Sequence, residues 1–186
     1  MMKKIKIVAI VGSLRRDSYN RQLALAAKAA VGDRAAFELL EYADVPFFNE
    51  DIEVPMPEQV ARVRSIVAAA DGIWFFTPEY NHFFSGVLKN LLDWLSRSPS
   101  FKEPHPLWEK PAAISGITPG RLGTVMSQDH LVTLLSILNM KVMNSPRLAV
   151  ADAIKQTNAE GRLELTTSAK FLQNQADAFI AFLQNS

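Results

Sequence analysis

A short polar segment, residues 12–20, lies between an apolar run and a helical pattern and carries several groups that bind anions. Ser13 and Ser18 offer hydroxyl donors, Asn20 offers an amide, and Arg15 offers a planar charged fork. The unpaired N–H groups at the start of a helix, and the positive end of its dipole, favour a phosphate at this position. Each charge-assisted hydrogen bond contributes about 1.5–3 kcal/mol, so several together would hold a phosphomonoester firmly.

The same residues also fit an ordinary capped helix, with Ser18 as the N-cap residue and the arginines in solvent. The segment lacks the GxxxxGK[ST] pattern, which argues against a P-loop nucleotide triphosphatase. It also lacks GxGxxG, so we do not expect it to bind NAD as dinucleotide-binding domains do. On composition alone, the phosphate site and the simple cap both remain open.

A second polar segment, residues 77–82, follows the most apolar stretch of the chain. Pro78 fixes the direction of the backbone, and the residues after it turn their amides outward. Such donors and acceptors, beside an aromatic side chain, suit the edge of a flat ring such as a flavin. Tyr80 is the candidate aromatic, and a half-buried loop tyrosine is the alternative. His82 is a poor metal ligand because no second His or carboxylate stands at ligand spacing.

Apolar runs alternate with helical patterns along the whole chain. The predicted strands are 5–11, 37–42, 72–77, 111–117 and a fifth strand broken into 141–143 and 147–150. The predicted helices are 20–31, 58–70, 85–97, 125–138 and 166–184, the last with Phe171, Leu172, Phe179 and Leu183 facing inward. This pattern predicts an α/β fold: a flavodoxin-like three-layer sandwich with a five-stranded parallel sheet in the order 2-1-3-4-5.

In such a sheet, ligands bind at the carboxyl ends of the strands, near the switch point between strands one and three. That rule selects the segments after Val11, after Phe76 and after Ile114. Both polar segments described above belong to this set. We therefore expect them to meet at one edge of the sheet.

Length and composition exclude several classes of protein. The 186 residues favour one domain spanning 1–186. Because cysteine is absent, disulfides, thiolate metal sites and cysteine catalysis are excluded, which fits a reducing cytosol.

The 20 basic and 19 acidic residues leave a formal charge of +1, without the basic face that nucleic acids require. The apolar run 5–11 is too short for a membrane span, so we expect a cytoplasmic protein with no membrane partner.

The two polar segments together resemble the signatures of the NADPH-dependent FMN reductase family, in particular its quinone, chromate and azo-dye reductase branch. The first family signature resembles GSLR followed by S and N, which here are residues 12–15, Ser18 and Asn20. The second resembles TPEYN followed by G, LKN and DW, which here are residues 77–81, Gly86, 88–90 and 93–94. Two signatures at this separation are more specific than either alone. The resemblance covers nearly the whole chain and weakens after about Val150.

The resemblance implies a set of residues that bind FMN. The residues implied to hold its phosphate are Ser13, Arg15, Ser18 and Asn20. The residues implied to lie along its ring are Pro78, Glu79, Tyr80 and Asn81, with Thr118 and Gly120 from a third segment, 115–123. No catalytic side chain and no metal ligand is implied. The third segment departs from the family pattern at 117–119, and the second is unusually bulky at 82–84.

The implied activity is the FMN-dependent transfer of electrons from NADPH or NADH to a small acceptor: a quinone, chromate, an azo dye or free flavin. In the implied ping-pong reaction, NAD(P)H gives a hydride to N5 of FMN and leaves before the acceptor binds. The main alternative is a non-enzymatic flavodoxin-like electron carrier. Such carriers tend to be acidic, whereas the isoelectric point of this chain is near 8.0.

Relatives in this family form dimers or tetramers with the ring site near the subunit boundary, which implies a homodimer or homotetramer. The candidate contact residues are Phe83, Phe84, Trp94 and Trp108. Burial of these side chains within a single subunit is the alternative.

Overall fold

A parallel sheet forms the centre of the computed structural model, which describes residues 4–98 and 103–186. Its strands are β1 (Ile5–Val11), β2 (Ala35–Leu39), β3 (Gly72–Phe76), β4 (Pro111–Ile117), β5 (Lys141–Val142) and β6 (Leu148–Val150). Their order is β2-β1-β3-β4, and β5 and β6 pair with the first and last parts of β4. The predicted order 2-1-3-4-5 is confirmed, with two short segments sharing the fifth position.

Five helices cover the two faces of this sheet. They are α1 (Tyr19–Val31), α2 (Glu58–Ala68), α3 (Gly86–Leu95), α4 (Val125–Ile137) and α5 (Ala169–Gln184). Short 3-10 turns occur at Gly32–Arg34, Glu50–Ile52 and Ala153–Gln156. Each predicted helix is present and ends within a few residues of its expected bounds. In the described part of the chain, no helix is both long enough and apolar enough to cross a bilayer.

Alternate residues of β1 serve two separate core layers because successive side chains of a strand point to opposite faces. Ile7 and Ala9 belong to the layer that contains α1 and α5. Val8 and Ile10 belong to the layer that contains α2, α3 and α4. Burial on both faces explains why the central strands are almost continuously apolar. The predicted three-layer sandwich is confirmed.

The second strand lies earlier in the chain than the predicted range 37–42. β2 pairs in parallel with β1 from Ile5 opposite Ala35 to Ala9 opposite Leu39, and this register fixes its bounds. Beyond Leu39 the chain turns across the end of β1. There the Tyr42 hydroxyl donates a hydrogen bond to the Val11 carbonyl at 2.5 Å.

The inward face of α5 differs from the prediction at one residue. Leu172, Ala176 and Phe179 are buried, whereas Phe171 is 62% exposed. A residue one position before Leu172 is rotated by about 100° around the helix axis, because the helix has about 3.6 residues per turn. Phe171 therefore projects away from the sheet.

Gly116 allows the start of α4 to pack directly against β4. A Cβ atom at this position would overlap the Thr77 carbonyl oxygen and the Oγ1 of Thr124. Thr124 is fully buried and occupies the N-cap position of α4. The close approach of these elements therefore requires glycine at 116.

We predict that Gly116→Ala destabilises the protein by about 1–3 kcal/mol, because an added methyl group overpacks a filled site. Urea unfolding followed by circular dichroism measures the change. Gly86→Ala is the matched control, since no atom lies within 4 Å of a Cβ at that position in the first turn of α3. The control should be neutral or more stable by roughly 0.4–1 kcal/mol. Equal stability losses for both variants would contradict this account of Gly116.

Candidate active site

The first loop, residues 12–18, ends in a capped helix. Ser18 has an extended backbone, and its Oγ accepts a hydrogen bond from the Arg21 N–H at 3.3 Å. The Ser18 N–H donates to the Arg15 carbonyl at 3.2 Å, which closes a turn. The structure thus contains the simple cap that the sequence allowed. The cap uses only an oxygen lone pair, so the hydroxyl hydrogen stays available to a ligand.

Arg15 folds back over the first loop. Its Nη2 donates to the Asp17 carbonyl at 2.7 Å, and its guanidinium carbon lies 5.8 Å from the ring centroid of Tyr19. The Arg15 N–H donates to the Ser13 Oγ at 3.4 Å. The guanidinium carries further N–H donors that can bind an oxyanion.

Asn20 joins the start of α1 to the end of β4. Its Nδ2 donates to the Ile117 carbonyl at 2.9 Å, and its Oδ1 accepts from the Ile117 N–H at 3.1 Å. The side chain is only 3% exposed. Asn20 therefore holds two walls of the site together, and its amide keeps one N–H for other contacts.

Gly12 brings the first loop against the second. Its N–H donates to the Phe76 carbonyl at 2.8 Å. A Cβ at Gly12 would lie 3.0 Å from Cδ of Pro78 and 3.2 Å from Oγ of Ser85. Only glycine allows this approach without displacing a neighbour.

Glu79 connects the second loop to the start of α4. Its Oε2 accepts a hydrogen bond from the Ser127 N–H at 3.1 Å, in the first turn of that helix. The Ser127 hydroxyl donates to the Pro78 carbonyl and contacts the Thr77 hydroxyl, each at 2.8 Å. The Glu79 carboxylate, 10% exposed, also lies 3.4 Å from Nδ1 of His82. Glu79 is thus held at a helix N-terminus, beside a neighbouring imidazole.

The residues after Glu79 form a tight hairpin. Tyr80 and Phe83 exchange two backbone hydrogen bonds, at 2.9 and 3.0 Å. The central residues, Asn81 and His82, have φ values of 52° and 63°, as a type I′ turn requires. This geometry presents Tyr80, which is 52% exposed, at the edge of the site.

The third loop follows β4 and is tied to the segment after β6. The Thr118 N–H donates to the Val150 carbonyl, and the Thr118 and Gly120 carbonyls accept from the N–H groups of Ala153 and Asp152, each at 3.1 Å. The predicted loop began earlier, at 115, but residues 115–117 belong to β4.

The three loops enclose a partly open cavity of about 220 Å³ at the carboxyl edge of the sheet. We call it the central cavity. Its lining consists of Ser13, Arg15, Ser18, Tyr19, Asn20, Pro78, Glu79, Tyr80, Ile117, Thr118 and Pro119. The first loop thus contributes hydroxyl and guanidinium donors to the lining, and the second and third loops contribute proline, tyrosine and isoleucine.

All but two of the predicted site residues line the central cavity. The exceptions are Asn81, at the tip of the hairpin, and Gly120, in the third loop. Contact between a ligand and any of the ten predicted residues stays a prediction. Tyr19, Ile117 and Pro119 line the cavity without having been predicted as site residues. Tyr19 lies inside the first signature segment and beside Ser18. This position was the feature of the sequence that could have identified it as a lining residue.

The structure also describes where metal-ligating groups lie. Within residues 4–98 and 103–186, no group of three His, Cys, Asp or Glu side chains is arranged to hold a metal ion. One part of the expectation for His82 is wrong, because a carboxylate does stand near it: Glu79, three residues earlier, lies 3.4 Å from its Nδ1.

Comparisons with known proteins show which family this chain is similar to. The family model described as NADPH-dependent FMN reductase matches residues 5–155. An NAD(P)H-dependent FMN reductase of Pseudomonas aeruginosa is 38% identical over 179 residues, covering 96% of this chain and 95% of the relative. A 2-hydroxy-1,4-benzoquinone reductase of Burkholderia sp. is 34% identical over 182 residues, covering 97% of both chains. The structure is similar to FerB, a flavoenzyme NAD(P)H:(acceptor) oxidoreductase of Paracoccus denitrificans, with a TM-score of 0.87, 32% identity and coverage of 97% of this chain and 98% of FerB.

We predict that Arg15→Ala lowers the affinity for FMN at least about tenfold, because it removes a charge-assisted hydrogen bond to the phosphate. Flavin absorbance per protein after purification, and fluorescence titration of the apoprotein, measure the change. Arg34→Ala is the control, since Arg34 pairs with Asp177 and precedes β2 at the opposite edge of the sheet. Flavin content unchanged by Arg15→Ala would rule out the phosphate role of this side chain.

Proposed function

The chain belongs to the NADPH-dependent FMN reductase family, and on this basis we propose that it reduces a quinone with electrons from NAD(P)H in a ping-pong reaction. It is an oxidoreductase with FMN as cofactor and NAD(P)H as co-substrate. The observation that carries the proposal is the central cavity, which is lined both by the hydroxyl and guanidinium donors of the first loop and by Pro78, Tyr80, Ile117 and Pro119.

The residues of the central cavity fit FMN in their chemistry. The Ser13 and Ser18 hydroxyls, the Arg15 guanidinium and the first turn of α1 form a donor set for a phosphate dianion. The carboxylate of Glu79 also lines the cavity, where Ser127 and His82 contact its two oxygens. Bound FMN supplies the two-electron chemistry that links NAD(P)H to the acceptor.

The second loop orients the other end of the site. The hydrogen bonds of Ser127 and Thr77 to the Pro78 carbonyl fix the backbone where the ring edge would lie. Tyr80 offers an exposed aromatic face beside that edge. A wall held in place in this way can position a flat ring without rearrangement on binding.

A quinone is the acceptor that the site and the relatives favour together. Tyr80, Ile117 and Pro119 add apolar surface to the lining of the central cavity. Several relatives are named quinone reductases, including one from Escherichia coli that is 36% identical over 149 residues. Chromate, azo dyes and free flavin are the acceptors against which a quinone should be compared.

The alternative of a non-enzymatic electron carrier is not supported, because the relatives are named as reductases and the chain is an enzyme of their family. We further propose a cytoplasmic location, where NAD(P)H is available and an absence of cysteine is expected. Cell fractionation with an antibody against the chain tests that location.

We also propose that the protein is a homo-oligomer. Of the predicted contact residues, Trp94 and Phe84 are buried within the chain, which leaves Phe83 and Trp108 exposed. The rings of Phe83 and His130 stack with their centroids 4.4 Å apart. They lie beside Ile137, which is 80% exposed. We call these three residues the apolar patch. The patch continues from the hairpin that walls the central cavity, so a second copy seated there would lie near the ring site.

Anaerobic stopped-flow mixing tests the proposed reaction. We predict that NAD(P)H bleaches the flavin absorbance without any protein partner, and that a benzoquinone then restores it. Steady-state rates should give parallel double-reciprocal lines, because each substrate occupies the same site in turn. Chromate, an azo dye and free FMN are run as competing acceptors. Flavin reduction that needs an added reductase would support a carrier, and intersecting lines would contradict the ping-pong order.

The oligomer proposal has a separate test. We predict that Ile137→Glu converts the protein to a smaller species, because a buried unpaired carboxylate opposes association. Size-exclusion chromatography with light scattering measures the mass. Phe171→Glu is the matched control, because Phe171 is exposed on α5, at the opposite face of the sheet. A monomeric wild-type protein, or equal effects of both variants, would overturn the assignment of the apolar patch.

A further inference from the structure

Ser127 contacts the second loop from outside the central cavity. It lies in the first turn of α4, is fully buried and is not among the residues that line the cavity. Its N–H donates to Oε2 of Glu79 at 3.1 Å, and its hydroxyl donates to the Pro78 carbonyl at 2.8 Å. Pro78 and Glu79 both line the cavity. Ser127 therefore acts on a ligand there through these two neighbours.

Two buried hydroxyls hold the Pro78 carbonyl in place. The hydroxyl oxygens of Thr77 and Ser127 each lie 2.8 Å from the carbonyl oxygen, and both side chains are fully buried. The carbonyl oxygen has two lone pairs and can accept a hydrogen bond from each. Because water does not compete at this buried point, the carbonyl keeps a fixed direction toward the start of α4.

The peptide unit that joins Pro78 to Glu79 carries a second group, the Glu79 N–H. The bond is trans, since the cis bonds in the described part of the chain are those before Pro55 and Pro146. In a trans peptide the N–H points away from the carbonyl. The carbonyl faces Ser127, so the Glu79 N–H faces away from α4. Within residues 4–98 and 103–186, this N–H has no hydrogen-bond partner.

A backbone N–H without a partner, on a residue that lines a cavity, is a donor for a ligand. Negative charge on a flavin ring grows when the ring takes up a hydride. A donor that already has the correct direction stabilises that charge without reorganisation, so it favours the reduced ring over the oxidised one. The value of the Glu79 N–H to a flavin thus depends on how firmly its peptide unit is held.

We propose that Ser127 is a positioning residue for the flavin and helps to set its reduction potential. Its hydroxyl holds the Pro78 carbonyl against α4 and so turns the Glu79 N–H to the central cavity, where this N–H donates to the ring of bound FMN. This inference rests on the proposed function and adds to it a residue that touches neither cofactor nor substrate.

Ser127→Ala isolates the hydroxyl, because the variant keeps the N–H that binds the Glu79 carboxylate. The ratio of the affinities for reduced and oxidised FMN should fall about tenfold, as expected for partial loss of one hydrogen bond to a charged group. For a two-electron couple, this corresponds to a reduction potential lower by about 30 mV. Anaerobic reductive titration of the FMN-loaded protein against a reference dye measures the potential.

Flavin binding by the apoprotein gives a second readout. In Ser127→Ala, the affinities for FMN and for riboflavin should fall by the same factor, because the two molecules share the ring and differ in the phosphate. Arg15→Ala should weaken the binding of FMN and leave that of riboflavin unchanged. Fluorescence titration with each flavin measures these affinities.

Ser115→Ala is the matched control, since it also removes a fully buried hydroxyl. The Ser115 hydroxyl accepts from Nε1 of Trp74 at 2.9 Å and donates to Oε1 of Gln175 at 2.6 Å, on the face of the sheet that α5 covers. This variant should lose stability and keep the wild-type potential. Thr77→Val removes the other hydroxyl from the Pro78 carbonyl and should lower the potential as Ser127→Ala does, so it serves if Ser127→Ala does not fold.

An unchanged or higher potential in Ser127→Ala, or an equal shift in Ser115→Ala, would refute the positioning role. The proposed function is tested separately, because wild-type protein that binds FMN and reduces a quinone with NAD(P)H would leave it intact in either case.

Discussion

The contact between Gly12 and Pro78 is the constraint on which the rest of the site depends. The first and second loops leave adjacent strands, and the Gly12 N–H continues their pairing by donating to the Phe76 carbonyl. The 3.0 Å separation between a Cβ on Gly12 and Cδ of Pro78 leaves no room for a side chain. Because the two loops meet here, the donors of the first loop and the ring edge of the second face one cavity.

Polar side chains from distant parts of the sequence keep that cavity in shape. Asn20 ties α1 to the end of β4, and Glu79 ties the second loop to α4 through Ser127. Each bond satisfies a backbone group near the site that burial would otherwise penalise. These side chains therefore act mainly as supports. The exposed donors, above all Arg15, remain for ligands.

The first loop borders two cavities in this architecture. It presents Ser13 and Arg15 to both the central cavity and a second cavity of about 240 Å³ beside the segment that leaves β2, and Arg16 to the second cavity alone. Because the segment is braced by the Ser18 cap at one end and by the bond between Tyr42 and Val11 at the other, its arginines start from a defined position.

The sequence by itself determined the layered fold, the strand order and the segments that form the site. Alternating apolar runs leave few topologies, and the carboxyl-end rule then selects the loops. Only the tertiary structure decided what individual side chains do. The partner of Asn20 is 97 residues away and that of Glu79 is 48 residues away, so no local pattern could reveal either bond. The hairpin turn likewise puts Asn81 at its tip, outside the residues that line the central cavity, and its positive φ value was not readable from spacing. Spacing along a chain fixes which loops meet, whereas the packing between elements fixes which atoms remain free to bind.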